Sequence, residues 1–156
     1  MAGSGYAAGM TDHRELGRSL NGLVWQLLAR PDRTQEDDAR MVDAAHASQY
    51  HWRVAGGPPA TRGEWLVSHV YAVLGRAEPA LHHARRCLEL AGAEPGVADF
   101  DRAYAAEAMA RALACAGDLD QAAAWRDRAA TARPSRTSSA RHTAPIPPRP
   151  SGSTMA

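Results

Sequence analysis

Histidines and carboxylates at spacings that could hold a metal ion are the most chemically suggestive feature of this sequence. His46 lies about seven residues before the end of one predicted helix, and His69 lies about seven residues after the start of the next. Antiparallel helices would place both side chains roughly 10 Å from the connecting loop, where they can face each other. His51 and a carboxylate from a later helix, Glu107, would complete a candidate site for Zn, Fe or Cu.

The same residues also have a simpler interpretation. The sequence contains no His-Glu-x-x-His motif, no Glu-x-x-His pair and no cysteine–histidine ligand spacing. His46 and His51 are i and i+5 on one helix, so their side chains diverge by about 140°. Histidines that are hydrogen-bonded in the core or lie at the surface are therefore favoured. A small metal-dependent enzyme for hydrolysis or oxygen chemistry is the alternative.

A second candidate set is suited to ligand binding. Tyr71 and Tyr104 could line a groove between helices. Glu107 and Arg111 have the i, i+4 spacing of a structural ion pair, which is the favoured interpretation. If buried, the same pair could orient a ligand carboxylate. His83, with His82 and two arginines beside it, is expected on a solvated helix face.

Capping residues and helix breakers predict the first three helices that would position these side chains. The first helix follows Asp12 and ends before Pro31, and the second follows Thr34. Residues 61–64, TRGE, match the Ser/Thr-x-x-Glu capping box and predict a third helix that begins at Trp65.

Three more helices follow. A turn at Gly75 separates the third helix from the fourth, Asp99 caps a fifth that Gly117 ends, and a sixth covers Leu119–Ala132. β-Branched and aromatic residues are too scarce to build a sheet. We therefore expect an all-α fold of six antiparallel helices, arranged as three stacked helix-turn-helix pairs.

Composition divides the chain into three parts. Residues 1–11 are rich in Gly, Ala and Ser and are predicted to be disordered, residues 12–132 form the helical domain, and residues 133–156 are rich in Pro, Ser and Arg. This last segment is also predicted to be disordered. Its residues 145–150, PIPPRP, have the PxxP spacing of a polyproline II ligand, although an unused linker is the favoured interpretation.

Whole-chain properties exclude several functional classes. The formal net charge of +1 and the dispersed arginines argue against nucleic-acid binding. No apolar run approaches the ~20 residues that a membrane span requires, and the N-terminus lacks the features of a signal peptide. Cys87 and Cys115 are expected to be free thiols. The chain is therefore predicted to be cytoplasmic.

The last four helices resemble the tetratricopeptide repeat. Gly75 is followed five residues later by Ala80, and Gly117 is followed five residues later by Ala122, so the pattern repeats with an offset of 42 over about residues 65–132. The chain from Leu20 to Ala132, with its Tyr-His-Trp, Arg-Gly-Glu-Trp and Asp-Phe-Asp segments, also resembles small uncharacterised bacterial helical proteins, a likeness that implies no activity. The repeat resemblance implies a concave groove, lined by helices 1, 3 and 5, that holds an extended peptide or a partner helix.

The leading hypothesis is therefore a binding module that engages a protein or peptide through this groove. Trp65 is expected to be a core anchor, and Tyr71, Tyr104, Glu107 and Arg111 are the candidate binding residues. The alternatives are the metal-dependent enzyme, with His46, His69, His51 and Glu107, and a structural subunit that forms homodimers through exposed helix faces.

Overall fold

The structure, a computed structural model, describes residues 11–93 and 99–132. These residues form six α-helices and no β-strand, which confirms the predicted all-α class. In chain order the helices are α1 (His13–Leu28), α2 (Gln35–Ala55), α3 (Pro59–Val73), α4 (Ala77–Ala93), α5 (Asp99–Cys115) and α6 (Leu119–Ala132). Two segments are predicted to be disordered, 1–11 and 133–156. Apart from Thr11, both lie outside the described residues.

Each helix packs against the next helix in the chain, and α3 also packs against α5. The pairs α1–α2, α3–α4 and α5–α6 therefore stack side by side, as the sequence predicts. The helices α1, α3 and α5 are the first members of the three pairs. The contact between α3 and α5 brings side chains from different pairs together on this side of the array.

Side-chain caps start α1 and α2 where the sequence predicts. The Asp12 carboxylate accepts hydrogen bonds from the backbone N–H groups of Arg14 and Glu15, both at 3.0 Å. Thr34 and Asp37 form a reciprocal capping box at the start of α2. These bonds satisfy backbone donors that the first helical turn would otherwise leave unpaired.

The start of α3 differs from the prediction. The helix begins at Pro59, after Pro58, instead of at Trp65. Proline has the helical φ angle built into its ring and needs no partner for a backbone N–H, so the helix can start without a side-chain cap. Thr61 and Glu64 consequently lie inside the helix and are buried, and the predicted capping box is wrong.

The turns inside the second and third pairs share one backbone geometry. Gly75 and Gly117 have φ angles of +69° and +85°, a region that side chains disfavour. The residue after each glycine donates its N–H to the carbonyl five positions earlier, at 2.9 Å after Gly75 and 3.0 Å after Gly117. Both are Schellman motifs. Five residues beyond each glycine, Ala80 and Ala122 are buried where the helices approach closely.

The core changes in character along the array. Helices α1 to α3 bury larger apolar side chains, including Val24, Leu27, Met41, Leu66, Val67 and Val70. Helices α4 to α6 bury mostly alanines, at positions 80, 84, 108, 112 and 122, which allows close approach of the helices. Trp65 packs against both of these clusters and against a third one around Cys87, which supports the prediction that it anchors the core.

Candidate functional site

Side chains of helix α3 enter two chemically different regions, which are distinguished by the helices that they contact. Thr61 and Trp65 lie on one face, towards α1 and α5. Glu64 and Tyr71 lie on another face, towards α2 and α4. The first face borders a cavity, whereas the second enters a network of polar side chains.

The cavity has a volume of about 230 Å³. Half of its wall residues are aromatic, and most of the wall comes from α1, α3 and α5, the first helices of the three pairs. The wall is formed by Asn21, Trp25, Trp52, Thr61, Arg62, Trp65, Cys87, Phe100, Asp101 and Tyr104. We call this space the aromatic cavity.

Trp65 is at the centre of the ring contacts around the aromatic cavity. Its ring centroid lies 6.0 Å from that of Trp25 and 5.7 Å from that of Tyr104, in a T-shaped contact. His69 stacks on its other side with a centroid distance of 5.2 Å. The indole Nε1–H donates to Oε2 of Glu107 at 3.0 Å, which fixes the orientation of the ring.

The position of Trp52 depends on a glycine in α1. A Cβ atom at Gly17 would collide with the Trp52 indole ring, so the absence of a side chain there allows the close approach. The Ser48 hydroxyl donates to the Gly17 carbonyl at 2.8 Å and ties α2 to α1 at the same place. One wall of the cavity is therefore shaped by the smallest residue of the facing helix.

The charged groups of the aromatic cavity neutralise each other. Nε of Arg62 donates to Asp101 at 3.0 Å, and Asp101 is only 2% exposed. The Arg62 guanidinium also lies 5.1 Å from the centre of the Phe100 ring. Burial raises the pKa of the Cys87 thiol to about 12, so this wall residue is uncharged near neutral pH. The cavity thus presents aromatic surface without a net charge.

Two polar atoms on the cavity side of α3 lack hydrogen-bond partners among the described residues. They are Oγ1 of Thr61, in the cavity wall, and Nδ1 of His69, next to Trp65. Buried polar atoms are nearly always hydrogen-bonded in native proteins. A bound water or a polar group of a ligand can satisfy such atoms.

On the other face of α3, Glu64 is 5% exposed and fully hydrogen-bonded. Its Oε1 accepts from Nε2 of Gln49 at 2.7 Å, and its Oε2 accepts from Nδ1 of His83 at 2.7 Å. These residues come from α2, α3 and α4. A buried carboxylate is tolerated there because each oxygen has its own donor.

His46 and Tyr71 extend this network. Nε2 of His46 lies 2.8 Å from the Tyr71 hydroxyl, and the His46 ring meets the His83 ring in a T-shaped contact at 5.3 Å. Tyr71 and His83 are stacked at 6.0 Å. We refer to Gln49, Glu64, His83, His46 and Tyr71 together as the polar network.

Acid–base properties in the polar network follow from burial and neighbouring groups. Burial lowers the pKa of His46 from its usual 6.5, and the charge of His83 adds to this effect, while Glu64 and Asp43 oppose it. For Glu64 burial raises the pKa, but the hydrogen bonds from His83 and Gln49 outweigh it and leave the pKa below its usual 4.5. The folded state therefore favours neutral His46 and ionised Glu64.

The structure divides the predicted binding residues between separate places. Tyr104 lines the aromatic cavity and is 40% exposed. Glu107 and Arg111 form the predicted i, i+4 ion pair and border a second, more open depression of about 310 Å³ beside α6. Tyr71 lies on the opposite face of α3, in the polar network.

The predicted metal ligands are not brought together. His46 contacts Tyr71, and His69 stacks on Trp65. His51 is held by His13, with 2.8 Å between their Nδ1 atoms. Glu107 accepts from Trp65 and pairs with Arg111. Within residues 11–93 and 99–132, no group of three or more His, Cys, Asp or Glu side chains is arranged to hold a metal ion.

Sequence reasoning missed or misplaced several residues of both regions. The prediction that His83 faces solvent is wrong, because its side chain is only 14% exposed and contacts Glu64. Glu64 was assigned to a helix cap, and Trp25 and Phe100 were not associated with a cavity. One signal was present: Trp52 and Trp65 flank the same short loop, so antiparallel packing brings them near each other.

Comparison with family models, curated proteins and solved structures finds no match to this chain. The described helices include none that is both long and apolar enough to cross a bilayer.

Proposed function

We propose that this chain is a binding module for a protein or peptide partner, which inserts an apolar side chain into the aromatic cavity. The single observation that supports this most directly is the cavity of about 230 Å³, bordered by three tryptophans, a phenylalanine and a tyrosine. Recognition sites are typically concave, mainly apolar and provided with a few oriented polar groups. This cavity has those properties.

Its size favours a side chain over a larger molecule. Pockets for small-molecule ligands commonly have volumes of about 300–1,000 Å³. A volume near 230 Å³ suits one or two side chains of a peptide whose backbone lies outside. Tryptophan-lined pockets that take a single anchor residue are frequent at protein interfaces.

Its charge favours a neutral anchor. An aromatic cage for a quaternary ammonium group relies on the negative faces of the rings, often with an unpaired carboxylate. In this cavity Asp101 is already paired with Arg62, whose guanidinium would repel a cation. An aromatic, aliphatic or proline side chain therefore fits the lining better.

Its location is consistent with the groove implied by the tetratricopeptide resemblance. Most of the wall belongs to α1, α3 and α5, which are the helices that would line a concave groove. The candidate binding residues Glu107 and Arg111 lie farther along α5 and would contact the partner outside the cavity. Cytoplasmic location and homodimer formation remain predictions from the sequence.

The metal-dependent enzyme receives no support of this kind from the described residues. The four candidate ligands have separate partners, so a shared ion would require their hydrogen bonds and ring contacts to rearrange.

Peptide selection against the cavity tests the proposal. Random peptides would be selected for binding to the protein, and their affinities measured by the change in tryptophan emission, since three of the four tryptophans border the cavity. We expect selected peptides to share an apolar anchor, and Tyr104→Ala to weaken them by about tenfold, equivalent to about 1.4 kcal/mol.

A matched control is Tyr50→Ala. Tyr50 is 49% exposed, comparable with the 40% of Tyr104, but it does not line the cavity. This variant should bind the selected peptides as the unmodified protein does. Equal losses in both variants, or selected peptides without an apolar anchor, would exclude the aromatic cavity as the binding site.

A further inference from the structure

We propose that residues 145–150 of this same chain, PIPPRP, occupy the aromatic cavity when no partner is bound. The inference rests on the proposed function, because it uses the same cavity and assigns it an internal competitor. These residues lie outside those that the structure describes.

The lining of the cavity suits a proline-rich ligand. Domains that recognise PxxP segments do so with grooves of tryptophan, tyrosine and other aromatic rings, against which proline rings pack. Five aromatic side chains border this cavity. A polyproline II helix makes no internal hydrogen bonds, so its carbonyl groups need donors from the protein.

Such donors are present in the cavity wall. The indole N–H of Trp65 is already used by Glu107. Those of Trp25 and Trp52 donate no hydrogen bond within the described part of the chain. The indole N–H of Trp25 can therefore serve a carbonyl group of a proline-rich segment, whereas the Nε1 edge of the Trp52 ring packs against Gly17.

Net charge favours association of residues 133–156 with the rest of the chain, with Arg149 kept outside the cavity wall that contains Arg62. Residues 133–156 contain four arginines and no acidic residue. Residues 1–132 contain 14 arginines and 17 acidic residues, which gives a net charge of −3. Residues 133–156 are thus attracted to residues 1–132 at low and moderate ionic strength.

The segment is long enough to reach the cavity. Twelve residues lie between Ala132, the end of α6, and Pro145, and the thirteen Cα–Cα steps of extended chain span up to about 43 Å. A folded domain of this size has a radius of gyration of roughly 14 Å. A tethered segment reaches effective concentrations of about millimolar, so even weak docking would be populated.

A full-length variant with Pro147→Ala and Pro148→Ala tests the inference. The ¹⁵N indole resonances of the four tryptophans report on occupancy, and Trp125→Phe identifies the one that lies outside the cavity. We expect the cavity resonances to shift in the proline variant and the Trp125 resonance to stay in place. A synthetic peptide of residues 141–151 should then return the cavity resonances towards their original positions.

The matched control is Pro134→Ala, which replaces a proline of residues 133–156 that lies outside PIPPRP. Its indole spectrum should equal that of the unmodified protein. The peptide should also bind the Pro147→Ala, Pro148→Ala variant at least about tenfold more tightly than the unmodified protein, because the tethered competitor is lost.

Two results would overturn the inference. Indole spectra that are identical with and without Pro147 and Pro148 would show that the segment does not dock. Shifts that disappear on dilution would show that the occupant is the segment of a second copy. If selected peptides still bind in a Tyr104-dependent way in either case, the proposed function stands and this inference alone fails.

Discussion

Both sides of α3 bury polar and aromatic side chains, but they differ in how completely these side chains are hydrogen-bonded and packed. On the polar network side, both oxygens of Glu64 have donors from neighbouring helices, and His46 has Tyr71. On the cavity side, large rings meet without filling the space between them, and Thr61 and His69 each have a buried atom with no hydrogen-bond partner among the described residues.

This difference indicates distinct roles for the two regions. A fully satisfied buried network specifies how helices pack, because every member needs its partners in place. An apolar cavity beside unsatisfied atoms gains from a ligand that fills the space and completes the contacts. We therefore expect substitutions in the polar network to change stability and substitutions in the cavity wall to change binding.

The largest effect is expected from Glu64→Ala. Removing this carboxylate leaves Gln49 and His83 without an acceptor in a buried place, which should lower the free energy of unfolding by about 3 kcal/mol. Urea unfolding followed by circular dichroism measures the change. The control Glu89→Ala removes a carboxylate that is 60% exposed and should change stability by less than about 0.5 kcal/mol. Similar losses in both variants would contradict the structural role of the network.

A smaller effect is expected from substituting two glycines of α1, of which only Gly17 contacts the cavity wall. Gly17→Ala should displace the Trp52 ring and lower the free energy of unfolding by about 1–2 kcal/mol, because a rigid side chain must move. Gly22→Ala, on the same helix with open space around it, should raise stability by up to about 1 kcal/mol. Thermal unfolding and near-ultraviolet circular dichroism measure both. A stabilising Gly17→Ala would show that Trp52 does not need this glycine.

The smallest effect concerns pH. Because the pKa of His46 is lowered from 6.5 in the folded protein, the unfolded state binds more protons just below that pH. The contribution of His46 to stability is fully present above pH 6.5 and is lost as the pH decreases towards the pKa of His46 in the folded protein. The slope should stay below the ~1.4 kcal/mol per pH unit of one full proton, since His46 is partly solvated. His46→Gln should reduce this slope, whereas the exposed His82→Gln should keep it. An unchanged slope in His46→Gln would exclude His46 as its source.

Glu64 acts in a separate and more acidic range. Its pKa also lies below the usual value, so its contribution to stability is present above pH 4.5 and is lost as the pH falls further. Unfolding curves taken on both sides of pH 4.5 therefore distinguish the contribution of Glu64 to stability from that of His46.

Much of the fold could be predicted because its signals are local. Asp12 and Thr34 cap helices through bonds to residues two or three positions away, and Gly75 and Gly117 supply the positive φ angles that end helices. The alternation of apolar residues then determines which side of each helix is buried. The start of α3 was the exception, since Pro59 and a TRGE motif gave competing local signals.

The candidate site could not be predicted to the same extent because its contacts join distant residues. Tyr104 was identified as a binding residue, but its partners in the cavity wall come from four other helices. His83 was assigned to a solvated face because it stands beside His82 and arginines, whereas the deciding neighbour, Glu64, is 19 positions away in sequence. Sequence spacing indicates which residues are neighbours on one helix. It carries little information about which residues of other helices lie opposite them.

The sequence by itself determined six helices, the ends of most of them and the apolar side of most of them, because each depends on hydrogen bonds and side-chain periodicity within a few residues. The tertiary structure alone decided that His46, His51, His69 and Glu107 would each contact a different residue and that Trp25, Trp52 and Trp65 would surround a shared space. Those outcomes depend on the rotation and distance of each helix relative to its neighbours. These are set by how whole side chains, such as Trp52 against Gly17, fit together.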